Sequence, residues 1–575
     1  MKWSIKKVPS IKSSIYAKKL NISRILANVL INRGIGITVG NNLINNPELL
    51  IEDASNIVNA TLVAEKIENS LNKNNHFIIH GDYDVDGLTS SYIITDFLRK
   101  LGEEVELYIP ERKTGYGLKQ KWCNDIINNS LNNDTNYIVI TVDCGITANQ
   151  EIQSLLDNNI EVIVTDHHEP KEAIPNCLCS DPWMDKLSGG HHLCGAGVIW
   201  KICSLINQNI VDVNDYLPYV ALGTVADVMS MTPENIAIVK LGLEEINKGN
   251  GGNINLLMKY NSREIKNLNA ENISWDLAPQ INACGRMGEV TTAKNFFFAD
   301  DESTVIDLIH KMIELNDKRS SVTKSIMQEV STVDYSDTNI CMYRLSQKDA
   351  GIAGIIAGKL CDANNKPAFV YVLKPNVITY SCSMRSTGNI DFVKILNEEL
   401  DNGTIKSWGG HANACGVELY SNKIEEFEYN VSLKAIDPKY ILEEQEIIIP
   451  VDCTIKIKDL NTKLYNEVSS LPYDKDIFSA PIFCLENIKV KAYTPYKSNK
   501  NHLALDCVDS NGSKITLVIW DGTNKYMDII DNANNNVDII GTIKTVGFYD
   551  VTCSRKTNDI TLNILDIKGK ERQSD

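Results

Sequence analysis

No run of about 18 uncharged apolar residues occurs in this 575-residue chain, which excludes an ordinary membrane-spanning helix. The opening residues, Met1-Lys2-Trp3-Ser4-Ile5-Lys6-Lys7, lack the apolar core and small-residue cleavage site of an export signal. A cytoplasmic protein is expected. The 15 cysteines are odd in number, scattered, and without paired C-x-x-C arms, which argues against a disulfide framework. One group with zinc-compatible atoms (Cys177, Cys179, His191, His192, Cys194) lacks the usual spacing and is read as loop and core residues. Excess basic charge is also missing, since the net charge is -17 and the isoelectric point about 5.1. That balance first argues against a nucleic-acid partner. Yet a metal-binding cleft collects carboxylates that cations neutralise, and phosphate recognition needs only a local basic track. Total charge therefore does not decide the partner. No internal repeat is apparent.

What is present is ordinary globular composition, 43% hydrophobic and 23% charged, over a length that suggests several domains. Residues 1–75 read as a helical extension, with helical spacing of apolar residues over 57–71. Residues 76–240 alternate short buried runs with amphipathic segments: FIIH, a helix over 89–101, VELYI, a further helix, YIVITV, another helix, and IEVIVT. Such alternation predicts a doubly wound parallel sheet and an α/β fold. Helices follow over 198–205 and 217–225. Residues 241–335 read as helical and end in a long amphipathic helix over 302–330, a connector between two α/β units. A second, smaller α/β unit is expected over 336–447, with a small-residue helix at 352–360 and a strand at 368–373. Over 448–575, short β runs alternate with Asn/Asp/Gly turns, which predicts a small β-barrel or sandwich.

Three strand-like runs end in acidic or histidine residues. The first leads from His80 into Gly81-Asp82-Tyr83-Asp84-Val85-Asp86-Gly87, the second into Asp143, and the third into Asp166-His167-His168. Ends of parallel strands converge, and oxygen ligands mixed with imidazole suit a pair of divalent metals. Taken singly, the first turn is matched by calcium loops and solvated turns. Three such clusters in register carry more weight. Adjacent histidines point in different directions, so His167 and His168 can divide ligation and substrate contact between them. Asp227 follows an apolar helix, where a buried carboxylate calls for a cationic partner. Asp143, on the central strand, is the candidate bridge between two metals poised for in-line attack on phosphorus.

These residues resemble the DHH phosphoesterase superfamily and, within it, the RecJ family of single-strand-specific 5′→3′ DNA exonucleases. The likeness runs through HGDYDVDGLTS, TVDCGI, VTDHHEP and VALGTVADV, in that order, over residues 30 to 420. It extends to Pro110-Glu111-Arg112 with the loop at Gly115 to Leu118, to Leu193 to Val198, and to Ile281-Asn282-Ala283-Cys284-Gly285-Arg286. The second unit resembles the DHHA1 domain through Gly351 to Gly354, Ser383 to Ser386 and Gly409-Gly410-His411. The C-terminal region resembles an OB-fold.

The resemblance implies a DHH lobe and a DHHA1 lobe facing each other across a cleft and holding two Mn²⁺ or Mg²⁺ ions. Asp84 and Asp143, with His80, would serve one ion. Asp86, Asp143, His167 and Asp227 would serve the other, and His168 would contact the scissile phosphate. Asp82 is placed behind the ligands. A terminal-phosphate pocket of Arg112, Arg286, Ser383 and Arg385 is implied, with His411 near the reacting phosphate; guanidinium forks bind phosphate oxygens bidentately. Tyr116 is a candidate for base stacking or for packing. Lys489, Lys491, Tyr493, Tyr496 and Lys497 are candidates for tracking a single strand. The expected substrate is single-stranded DNA in repair and recombination, handled by a monomer that works with a single-strand-binding protein and a helicase.

Departures from the family pattern are Gln280, Lys348-Asp349 and Cys382, none of which removes an expected ligand. Two alternatives stand beside the exonuclease. One is a DHH phosphodiesterase for short RNA or dinucleotides; the other is a non-catalytic DHH scaffold.

Overall fold

The computed structural model describes the chain apart from residues 1, 74, 132–135, 171–172, 262–266, 375–378, 443–447, 475–476, 496–501, 520–522, 550–555 and 570–575. Residues 75–180 contain a five-stranded parallel sheet, in the strand order 105–108, 75–80, 136–142, 161–165, 178–180. The strands are β2 (Asn75–His80), β3 (Val105–Tyr108), β4 (Asn136–Val142), β5 (Glu161–Thr165) and β6 (Leu178–Ser180), preceded in the chain by β1 (Lys2–Ile5). β2, β4 and β5 are buried at their C-terminal ends, as expected for strands covered on both faces. The apolar runs in the sequence are these strands. Helix Val85–Lys100 begins four residues earlier than its apolar pattern suggests. Asp84 caps it by accepting from the Gly87 N–H at 3.1 Å, so a segment that reads as an acidic turn is a helix start.

Helix Glu302–Val330 is 29 residues long, which gives a span of roughly 43 Å. It is capped by Asp301, which accepts from the Thr304 N–H. Its buried residues Val305, Ile309, Met312 and Leu315 join the core of the first lobe, while Ile326 and Val330 join that of the second lobe. One helix thus sets the distance between two cores.

The second lobe holds β7 (Cys341–Arg344), β8 (Ala368–Leu373), β9 (Thr379–Arg385), β10 (Ile405–His411) and β11 (Ala414–Tyr420). Their order is β10-β11-β9-β8-β7, with only β7 and β8 parallel. The C-terminal module comprises β12 (Ile448–Val451), β13 (Cys453–Ile455), β14 (Ile482–Pro495), β15 (Leu503–Val508), β16 (Lys514–Ile519), β17 (Asn536–Tyr549) and β18 (Lys556–Gly569). Five of these, β14-β15-β16-β18-β17, close into a barrel because β14 also pairs with β17. Register breaks in β14 at Leu485/Ile488 and Val490/Ala492 let one long strand bend across both pairings.

The N-terminal residues contain a strand that their composition does not announce. β1 pairs in parallel with β12, so its partner lies more than 440 residues away. Arg33 then clamps Asp452 through Nε at 2.8 Å and Nη2 at 3.0 Å. Residues 47–56 are stitched to the first lobe by buried Glu234. It accepts from the Glu52 N–H at 2.8 Å, contacts His192 Nε2 at 2.7 Å, and pairs with Lys201, whose ammonium also donates to the Glu52 carbonyl. Burial raises the carboxyl, but His192 and Lys201 outweigh it and hold Glu234 below the usual range. A depressed folded value contributes stability above the unfolded value, and that stability is lost as pH falls through the folded one. Glu234→Ala is therefore expected to cost roughly 3–5 kcal/mol, because it strands a buried lysine. A lower urea midpoint at pH 7, with the gap to wild type narrowing under acid conditions, is the check.

Candidate metal centre and phosphate cleft

The predicted strand-end acids meet. Asp82, Tyr83, Asp84, Arg112, Tyr116, Asp143, His168, Asp227, Asn282 and Arg286 line a polar cavity of about 330 Å³ beyond the C-terminal ends of β2, β4 and β5. Three sets of side chains place their donor atoms within 4.8 Å of one another: Asp82, Asp84 and Asp143; Asp86, His167 and Asp227; and Asp143, His167 and His168. Asp143 belongs to two of them.

The local backbone explains this convergence. Asp143 follows β4 with φ +58°, a left-handed conformation that Asp tolerates, and this turns its carboxylate away from the strand direction. Helix Gly195–Leu205 then approaches so closely that a Cβ on Gly195 would lie 2.7 Å from the Asp143 Cβ. Only glycine fits there. The Gly195 and Ala196 N–H groups donate to Asp86 at 2.6 and 3.0 Å, so a helix N-terminus aims Asp86. Asp166, the first residue of the motif, accepts from the N–H groups of Ile146, His167 and His168 and contacts His168 Nδ1 at 2.8 Å. It positions the histidine pair.

His167 Nε2 lies 3.0 Å from Asp143 Oδ1, 3.6 Å from Asp86 Oδ2 and 3.8 Å from Asp227 Oδ2. Asp143 Oδ1 nevertheless accepts no hydrogen bond, and neither does the buried Asp82 Oδ1. Carboxylate oxygens and an imidazole nitrogen crowded together, two of the oxygens without a hydrogen bond, form a donor set suited to cations. Burial, followed by the neighbouring carboxylates, raises Asp82, Asp84 and Asp143 above the usual range and Asp227 to about 8. Burial keeps His167 in its neutral, ligand-competent form. At His168 burial pulls downward, but the Asp166 carboxylate lifts it to about 9.

Other predicted residues fall at varying distances. His80 ends β2, yet its ring packs on Trp122 (4.6 Å between centroids) and Tyr108, and its Nδ1 faces Cys144 Sγ at 3.6 Å; it is in none of the three donor sets. Tyr116 donates its hydroxyl to the Asp143 carbonyl at 3.0 Å and stands 3.1 Å from His168 Nδ1. Arg112 lies over the Tyr83 ring at 4.9 Å, and Arg286 donates to the Gly351 carbonyl of the facing lobe at 3.3 Å. Burial, then Arg112 and Arg319, lowers Arg286 to about 10. Ser383 and Arg385 sit on β9 outside the cavity lining, although Gly354 brings the second lobe's helix against Arg385. His411 is exposed at the end of β10, two strands from β9.

Asp82 and Asn282 stand in the cavity where the sequence reading gave one a supporting place and the other none; both lie inside quoted motifs. Arg319 has no such signal. The remaining zinc-compatible residues are dispersed: His191 packs on Trp183, His192 meets Glu234, Cys194 meets Thr224, and Cys177 meets Cys179 at 3.6 Å. Gln280 is buried and donates to Asn261, and Cys382 is buried in the second core. Lys489 and Lys491 are exposed on β14, while Tyr493 donates to Asp531. Tyr496 and Lys497 lie outside the described residues.

Residues 76–224 match the DHH family, N-terminal domain, residues 337–432 the DHHA1 domain, and residues 451–552 the RecJ OB domain. The single-stranded-DNA-specific exonuclease RecJ of Bacillus subtilis is 26% identical over 553 residues, covering 90% of this chain and 68% of that one. The Thermus thermophilus RecJ is 28% identical over 362 residues, 62% of this chain and 51% of that one. The chain thus spans from about half to just over two thirds of the length of these relatives. The crystal structure of Thermus thermophilus RecJ with Mn²⁺ aligns with a TM-score of 0.79 at 21% identity, covering 99% of this chain and 80% of that one. A manganese-bound exonuclease RecJ aligns with a TM-score of 0.56 at 27% identity, covering 66% and 94%. Fold and site together define a two-lobed, metal-dependent phosphoesterase of the DHH/DHHA1 class. With the barrel counted, the chain belongs to the RecJ family. No helix among the described residues is long and apolar enough to cross a membrane.

Proposed function

We propose that this protein hydrolyses single-stranded DNA from a 5′ end, releasing 5′-mononucleotides, with two divalent cations, Mn²⁺ or Mg²⁺. The observation that carries the reading is Asp143: a buried carboxylate oxygen beside His167 Nε2, without a hydrogen bond, shared by two donor sets. The names of the relatives as single-strand-specific exonucleases support the substrate, and Mn²⁺ and Mg²⁺ in solved RecJ structures support the cofactors.

In this reading Asp82, Asp84 and Asp143 hold one ion, with His80 behind them, and Asp86, Asp143, His167 and Asp227 hold the other. Paired divalent ions supply Lewis acidity and a hydroxide nucleophile for in-line hydrolysis of a phosphodiester. Around them the chain's own groups bind and orient. His168, oriented through Nδ1 by Asp166, faces a phosphate oxygen. Arg112 and Arg286 grip phosphate from the other wall, and Ser383, Arg385 and His411 complete that grip from the second lobe. Tyr116 ties the Asp143 loop to His168 and presents a half-exposed ring edge to a base. Partners that expose single strands, a single-strand-binding protein and a helicase, belong to the same proposal.

The barrel and the N-terminal extension favour a polymer over short RNA or dinucleotides, and the converging donors disfavour a silent scaffold. The test is a digest of 5′-phosphorylated single strands with Mn²⁺, labelled at either end. Early release of a labelled mononucleotide from the 5′-labelled strand is expected, whereas early release from the 3′ label reverses the polarity. Turnover confined to dinucleotides would replace the reading with the short-substrate one.

A further inference from the structure

The first 47 residues carry eight basic side chains and no acidic one, Glu48 being the first carboxylate, in a chain with 74 acidic residues and a net charge of -17. Lysines on a surface helix are ordinary. A stretch of this length without an acid, in so acidic a chain, is not. Lys6, Lys7, Lys12, Lys18, Lys19 and Arg24 are exposed, and among the described residues none of them pairs with a carboxylate. Lys6 donates to the Asn32 carbonyl and Arg24 to the Ser10 hydroxyl. Asp566 and Glu467 do reach this segment, but they accept from neutral donors, the Trp3 indole and the Ser23 N–H. The charges therefore sum to a local positive field that draws a polyanion.

An open apolar cavity of about 590 Å³ lies in the same segment, lined by Ile11, Ile15, Ile31, Ile35 and Ile37, with Lys12 on its wall. Ile11 and Ile15 stand one turn apart on helix Ser10–Leu20 and are 77% and 52% exposed. The segment is fixed to the barrel module: β1 pairs with β12, Arg33 holds Asp452, and Lys568 of β18 lies over the Trp3 ring at 4.5 Å. Lys568 thus carries the basic surface from the N-terminal helices onto the barrel.

We infer that this surface is a second binding site for single-stranded DNA, outside the catalytic cleft. Unstacked bases lie on the isoleucine floor, and phosphates meet Lys6, Lys7, Lys12 and the neighbouring cations. The inference rests on the single-strand substrate proposed above. Two features favour a strand over an acidic protein segment or a duplex. The cations are spread along both ends of an 11-residue helix, roughly 16 Å, and on to Arg24 and Lys568, which suits a polymer charged at every unit. A duplex hides its base faces and would leave the isoleucine floor uncovered. Holding the undigested part of the strand here makes each return of its end to the cleft an intramolecular event.

The experiment measures binding of 3′-labelled oligodeoxythymidylate by fluorescence anisotropy, in chelator so that no strand is cut. Strands of about 10 nucleotides, the reach of one barrel, are compared with strands of about 40. Wild type is set beside a fourfold variant (Lys7→Gln, Lys12→Gln, Lys18→Gln and Lys19→Gln) and a double variant (Ile11→Ser and Ile15→Ser), all at exposed positions. The fourfold variant is expected to bind the long strand about tenfold more weakly, with a plot of log K against log salt shallower by about 3, from four phosphates at about 0.7 each. Its short-strand affinity and melting temperature should match wild type. The double variant should weaken the long strand without changing the slope, since it removes base contacts alone. In wild type the long strand should show the steeper slope, which tests the site without any substitution. Equal slopes for long and short strands in wild type, or full long-strand affinity in the fourfold variant, overturn the site. A duplex bound as tightly as the single strand, with the double variant indifferent, overturns the single-strand assignment. An acidic, leucine-containing peptide that binds wild type, fails to bind both variants and is not displaced by the long strand would make this a protein-docking surface instead. Because the readout is binding, its failure leaves the nuclease reading to be judged by the end-labelled digest.

Discussion

Asp143→Ala abolishes hydrolysis while leaving the fold intact: kcat is expected to fall by roughly 10³ or more, which corresponds to about 4 kcal/mol of barrier. Asp143 is the one carboxylate common to two donor sets, so its loss removes a ligand from both at once. Asp143→Asn should fare little better, because a neutral amide balances neither cation. The usual objection to such a result is misfolding, and the site offers an internal control. In the metal-free protein Asp143 is buried, raised well above its ordinary range, and repelled by Asp86 and Asp84. Its removal relieves that repulsion, so the metal-free variant should melt no lower than metal-free wild type. Substantial hydrolysis by Asp143→Ala, measured with the 5′-labelled strand, would sink the bridging role; a large drop in its metal-free melting temperature would show that the residue is structural.

The catalytic lobe is legible in the sequence because strands covered on both faces must be apolar along their length. YIVITV and EVIVT have no other common home, and the acids that end them fall together once the strands are parallel and neighbouring. The long helix is legible because Asp301 caps it and apolar residues recur at helical spacing from Val305 to Leu315 and again at Ile326 and Val330. Pairings between distant segments are not legible. β1 is four residues whose strand character comes entirely from β12. Tyr116 reads as a stacking candidate from its glycine-flanked loop, and no neighbour in sequence announces that its hydroxyl reaches the Asp143 carbonyl. Arg319 looks like one more solvated charge on an amphipathic helix until the second lobe brings Ile355 into a cavity that both line. Local pattern specifies elements and strand-end chemistry; which side chains share a cavity depends on lobe packing.

Addition of Mn²⁺ to chelator-treated protein should raise its melting temperature, and by more at pH 8 than at pH 6. The sign follows from the carboxylates. Asp82, Asp84, Asp143 and Asp227 all titrate above their ordinary range in the folded protein, Asp227 at about 8. A raised folded value means that the native state binds more protons than the unfolded chain. Metal-free stability therefore declines as pH climbs from the unfolded carboxylate range, about 4, towards 8. Cations reverse this by taking the place of the protons, and they bind more tightly as those protons leave. At a free concentration 100 times the dissociation constant, one site contributes about 2.7 kcal/mol. Asp143→Ala should lose most of the Mn²⁺-dependent shift. A shift equal at both pH values would mean that the carboxylates are already ionised without metal; no shift at all would leave the cluster without its cations.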